Sequence, residues 1–148
     1  MKKLEFNIDI NADAQKIWDA IINPVKYKEW VGAGFPGSYF EGNWKIGENI
    51  RFLSPEGGGT LANLEDVKPN EYIAAKHVAV INQDGSEDRT SEIAKGWIGT
   101  TEIYTISKRN GGSNIKVEMG NVNAEWESMF ADSWPKLLKK LKEVSEKN

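Results

Sequence analysis

Between residues 4 and 10 apolar side chains alternate with polar ones, Leu4, Phe6, Ile8 and Ile10 against Glu5, Asn7 and Asp9. Period-two alternation marks a strand with one buried face. The period then changes: Ile17, Trp18, Ile21 and Ile22 share one side of a helix that Asn11 or Asp13 can cap and that Asn23-Pro24 ends. A second short amphipathic piece, Val25 to Val31, carries Tyr27 and Trp30. Strand-like segments follow at 38–40, 48–53, 60–67, 72–81, 100–107 and 114–119. They are separated by Gly42-Asn43, Gly57-Gly58-Gly59, Pro69-Asn70 and Asn110-Gly111-Gly112, the residue types that tight turns require. The polar stretch from Asn82 to Ser91 reads as a mobile loop. In the last segment Trp126, Met129, Phe130, Trp134, Leu137, Leu138, Leu141 and Val144 recur at spacings of three and four, with lysines on the other side. This predicts one long amphipathic helix, with a kink near Pro135, where the residue-131 carbonyl loses its donor. The order of elements predicts an α+β fold: a curved antiparallel sheet wrapped around a long C-terminal helix, with two short helices after strand 1.

Length adds one constraint. With 148 residues the chain has the size of a single domain over 1–148, and a chain this long buries roughly 70% of its unfolded surface without a metal or disulfide. It has no cysteine, so disulfide frameworks, thiolate nucleophiles and Cys-ligated zinc or iron–sulfur centres are excluded. Its one histidine, His77, excludes any site that needs two imidazoles. The net charge is −3 with scattered basic residues, which argues against nucleic acid as a partner. The apolar runs are too short for a membrane span and nothing behind the N-terminal lysines resembles a leader. We therefore expect a cytoplasmic protein with no membrane insertion. Six Trp, four Tyr and five Phe exceed what a core of this size needs, so some are expected to line a cavity.

Five blocks carry a resemblance: Asp13 to Ala20, Tyr27-Lys28-Glu29-Trp30, Glu41 to Gly47, Pro69 to Ile73, and Ser133 to Leu141. In order and spacing they resemble the START-like, or SRPBCC, superfamily, and within it the branch named for the activator of the ninety-kilodalton heat-shock chaperone ATPase. The resemblance spans nearly the whole chain. It implies a helix-grip fold, START-like and birch-pollen-allergen-like, with a deep cavity between sheet and long helix. Two features depart from the family pattern: His77 stands where a tryptophan is expected, and residues 86–96 are more polar than usual.

Several motifs resolve into turns. Gly32 to Gly37 spells G-x-G-x-x-G, but a helix precedes it and a strand follows, the reverse of a dinucleotide site. Gly57-Gly58-Gly59 lacks the Lys-Ser/Thr of a P-loop and reads as a hairpin loop. Asp84, Glu87, Asp88 and Glu92 lack EF-hand spacing and read as a solvated acidic loop. No metal or cofactor is expected.

The candidate ligand-binding residues are Trp30, Phe52, His77, Trp97, Glu102, Tyr104, Met119, Phe130 and Trp134. Alternation puts His77 on one face with Ile73 and Ala75, pointing into the cavity, and puts Glu102 and Tyr104 on one face with Ile106. Trp44, between Asn43 and Lys45, is read as exposed near the sheet edge. The preferred function is a binding module for a small apolar or amphipathic molecule, with no catalytic residue. One alternative is a cyclase- or hydratase-type enzyme using His77, Tyr104 and Glu102. Another, implied by the resemblance, is a chaperone ATPase accessory, although the activator itself resembles this chain in only one of its domains. The reading separates binder from enzyme at His77. It expects no carboxylate to orient the ring, and a bond from His77 to a buried carboxylate would favour the enzyme.

Overall fold

The computed structural model describes residues 2–147. Strand β1 (Lys2–Ile10) is followed by helices α1 (Ala14–Ile22) and α2 (Pro24–Val31). Asp13 caps α1, its Oδ1 accepting the Lys16 N–H at 3.0 Å, and Asn23 closes α1 while capping α2, with Pro24 in the first turn, where its missing N–H costs nothing. Strands β2 (Tyr39–Glu41), β3 (Asn49–Leu53), β4 (Gly59–Lys68) and β5 (Tyr72–Ile81) come next. Then follow β6 (Glu87–Asp88), a short helix α3 (Glu92–Trp97), β7 (Thr101–Arg109), β8 (Gly112–Val122) and the closing helix α4 (Ala124–Glu146).

The strands form one curved, eight-stranded antiparallel sheet in the order β1-β8-β7-β5-β4-β3-β2, with β6 added against β5. The hairpin between β3 and β4 turns on the expected glycines. At Gly59 a Cβ would lie 1.8 Å from the Phe52 carbonyl oxygen, so only glycine allows that approach. Helix α4 lays Phe130, Trp134, Leu137, Leu138, Leu141 and Val144 into the core formed with β1, α1, α2 and the inner sheet residues Ile73, Ala75, Tyr104, Ile115 and Val117. Each fully buried side chain of this size contributes about 1.5–3 kcal/mol, so the helix supplies a large share of the fold's stability. It runs as one helix through Pro135.

Strand β5 carries a bulge. Its register against β4 jumps from Ala62↔His77 to Leu61↔Ala79, leaving Val78 as the extra residue. Beyond the bulge, Ala79 and Ile81 join Leu53 and Leu61 in a second, small cluster. His77 is thus the last inward residue of β5 on the face that meets α4.

Two expectations are corrected. The stretch 82–91 contains the short strand β6, and residues that carried no helix prediction form α3: Asp88 Oδ1 accepts the N–H groups of Thr90 and Ser91, and Ser91 Oγ caps Ala94. Trp44 is half-buried rather than exposed, its ring 5.4 Å from Phe40 and 6.0 Å from Phe52. Covering that much ring surface outweighs its polar neighbours.

Candidate functional site

A cavity of about 250 Å3 opens between the sheet and α4. Of the nine residues singled out from sequence, Trp30, Phe52, His77, Trp97, Glu102, Tyr104, Phe130 and Trp134 line it. Met119 does not. It sits opposite Glu102 on β8, 1% exposed, and is packed into the core beneath the cavity, which corrects its assignment as a wall. Tyr27, Phe35 and Met129 line the cavity without having been singled out. Tyr27 lies one helical turn before Trp30 on α2, a spacing that places both on one face. Met129 is 42% exposed and lies one residue off the buried stripe of α4, so helical periodicity alone could not distinguish a cavity rim from a core.

The walls are a chain of rings. The Trp30 indole is fixed by donating from Nε1 to the Ala20 carbonyl at 2.8 Å and stands 6.4 Å from Trp134. Trp134 meets the Tyr104 ring edge-on at 6.0 Å. On the opposite side α3 delivers Trp97, 4.9 Å from the His77 ring and 5.6 Å from Phe130. Phe52 on β3 stands 5.8 Å from His77.

Among these rings is one polar cluster. His77 is 2% exposed, and its Nε2 lies 3.3 Å from Glu102 Oε1. Tyr104 donates its hydroxyl to the other carboxylate oxygen. The Glu102 side chain is 13% exposed. Burial, and then the neighbouring Glu102 charge, hold the phenols of Tyr27 and Tyr104 well above the usual tyrosine range. Among the described residues, His77 Nδ1 and the Trp97 and Trp134 indole nitrogens are buried without a partner.

This arrangement corrects the expectation for His77. The ring does face the cavity, but a buried carboxylate orients it. With the proton on Nε2 the imidazole donates to Glu102, leaving Nδ1 as the atom free to meet a ligand. The cluster can therefore anchor a polar group, and it also has the base-plus-orienter geometry of acid/base chemistry.

Among the described residues no helix is long and apolar enough to cross a membrane, and no group of three or more histidine or acidic residues is placed to hold a metal ion.

Comparison with solved structures finds the same fold. A crystal structure of a protein from Mesorhizobium loti superimposes with a TM-score of 0.73 at 16% identity, covering 97% of this chain and 96% of that one. The Aha1 dimer of Colwellia psychrerythraea, solved in solution, gives 0.72 at 19% identity, covering 99% and 97%. A protein from Chromobacterium violaceum gives 0.73 at 13% identity, covering 99% and 98%. At these identities the likeness is one of fold. No curated protein matches the chain. The sequence pattern of the family described as "Activator of Hsp90 ATPase homolog 1-like protein" matches residues 11–146, nearly the full length and every element from α1 to α4, and the chain belongs to that family.

Proposed function

We propose that this chain holds a small, largely apolar molecule in the cavity between the sheet and α4, with His77, Glu102 and Tyr104 fixing the orientation of its polar end. The observation that carries this reading is the composition of the cavity: rings from α2, β3, α3 and α4 surround one compact polar cluster on β5 and β7. Apolar walls with a few convergent polar groups are the usual layout of a small-molecule site. Trp30, Phe52, Trp97, Phe130 and Trp134 serve as walls in this reading.

A second reading, an acid/base enzyme of the cyclase or hydratase kind, is the one the His77–Glu102 contact favours, because it supplies the orienting carboxylate whose absence the binder reading expected. The binder stands first because it needs only the apolar cavity and its polar cluster, whereas the enzyme needs in addition a reacting substrate atom held at His77 Nδ1. His77 Nδ1 would exchange the proton with substrate, Glu102 would hold the ring, and Tyr104 would hold Glu102. Both readings need an occupied cavity.

Titration with N-phenylnaphthylamine, an uncharged apolar fluorophore, tests that shared requirement. Saturable one-to-one binding is expected, with energy transfer from the cavity tryptophans. Val31 lines the cavity from α2, so Val31→Trp should fill it, abolish binding and leave the circular dichroism spectrum unchanged. Absence of saturable binding to the wild-type protein would refute the proposal.

A further inference from the structure

We infer that the cavity selects an organic cation: a quaternary ammonium or protonated amine with apolar substituents, held by the Glu102 carboxylate among aromatic faces. The inference rests on the small-molecule reading above and adds to it the sign of the ligand's charge. No lysine or arginine is among the residues that line the cavity; Glu102 and His77 are its ionisable pair, with the phenols of Tyr27, Tyr39 and Tyr104. The two groups that touch the Glu102 carboxylate, the Tyr104 hydroxyl and His77 Nε2, serve it as hydrogen-bond donors. The phenol's hydrogen bond stabilises the carboxylate without cancelling its charge.

The His77 ring is no fixed counter-cation of the lysine or arginine kind: it meets Glu102 through Nε2, and its Nδ1 is buried without a partner among the described residues.

The walls act in the same direction. Trp30, Trp97, Trp134, Phe52 and Phe130 present π-systems whose faces are electronegative, and a cation within about 6 Å of such a ring is attracted to it. Burial costs a charged ligand of either sign; a carboxylate ligand would add like charge from Glu102 to that cost, whereas a cation gains a counter-charge and aromatic walls against it.

Two probes of the same shape separate charge from shape: phenyltrimethylammonium and tert-butylbenzene, titrated by calorimetry and by quenching of the cavity tryptophans. Against wild type, Glu102→Gln should weaken phenyltrimethylammonium on the order of tenfold, the effect of removing a counter-charge at a desolvated cation site. It should leave tert-butylbenzene within about twofold, which also shows that the variant is folded. If Glu102→Gln shifts both probes alike, or leaves the cation unaffected, the inference is wrong. If tert-butylbenzene binds wild type and the cation does not, the inference again fails while the small-molecule reading stands. If neither probe binds wild type, the small-molecule reading fails and takes the inference with it.

Discussion

Replacing Tyr104 by Phe removes a single oxygen from the polar cluster and leaves the ring that packs edge-on against Trp134 at 6.0 Å. The lost contact is the hydrogen bond to Glu102. The carboxylate is 13% exposed in its side chain, so water replaces the lost donor poorly. Hydrogen bonds to charged groups contribute about 1.5–3 kcal/mol, while the packing change on deleting one hydroxyl from a 5% exposed ring is small. Near this chain length each kcal/mol moves Tm by about 2–4 °C, so a fall of roughly 3–12 °C is expected. Thermal and urea unfolding followed by circular dichroism measure it, with the urea slope unchanged if only stability has moved. A double-mutant cycle isolates the pair. In a Glu102→Gln background the acceptor is neutral, so Tyr104→Phe should cost only about 0.5–1.5 kcal/mol. If Tyr104→Phe lies within about 0.5 kcal/mol of wild type, or costs the same in both backgrounds, the carboxylate at the cavity floor is not held by the phenol and the account of the cluster is wrong.

Two further outcomes follow from burial. Removing residues 124–148 exposes the inner sheet face that α4 covers through Phe130, Trp134, Leu137, Leu138 and Leu141, so cooperative unfolding should disappear; one sharp transition in the truncated chain would contradict the packing described. Tyr27 and Tyr104 have phenols raised above their unfolded value, so the folded state keeps protons that the unfolded state releases from about pH 10 upward. Their contribution is therefore fully present below that pH, and stability falls as pH rises beyond it. Phenolate absorbance and circular dichroism recorded together should show these two tyrosines ionising with unfolding, and ionisation of all four tyrosines in a native-like spectrum would disprove their burial.

Much of the architecture was legible because its elements are long and strongly periodic. The α4 stripe and the alternation of β1, β5 and β7 survive any reasonable shift of boundary. What escaped was short or decided at a distance. Helix α3 has six residues with Gly96 inside it, too few for a period to show, although Ser91 before Glu92 is a proper start signal. Trp44 was misread because its chain neighbours are polar, whereas its cover comes from Phe40 and Phe52 across the sheet edge. Met119 was misread for the opposite reason. It does stand opposite Glu102 on β8, but alternation gives the face and not the depth, and β8 lies beneath the cavity rather than at its wall.

The polar cluster shows most clearly where local pattern stops. Alternation placed His77 inward and put Glu102 and Tyr104 on one face, but their meeting depends on the register between β5 and β7. In the structure Ala75 pairs with Glu102, and Ile73 with Tyr104. His77, two residues beyond Ala75, becomes the diagonal neighbour of Glu102, within reach of long side chains. The main chain continues that ladder past the end of β7, His77 N–H donating to the Thr100 carbonyl and Gly99 N–H to the His77 carbonyl, each at 2.9 Å. A slip of one residue would send Glu102 and Tyr104 to the other face, leaving a lone histidine of the kind the sequence alone describes. That register is set by the apolar pairs that flank the cluster, Ile73 and Ala75 with Tyr104 on one side and Val117 and Met119 on the other. The core residues beneath the cavity thus determine that the carboxylate and the imidazole meet, and so decide whether the cavity holds a charged cluster or an isolated ring.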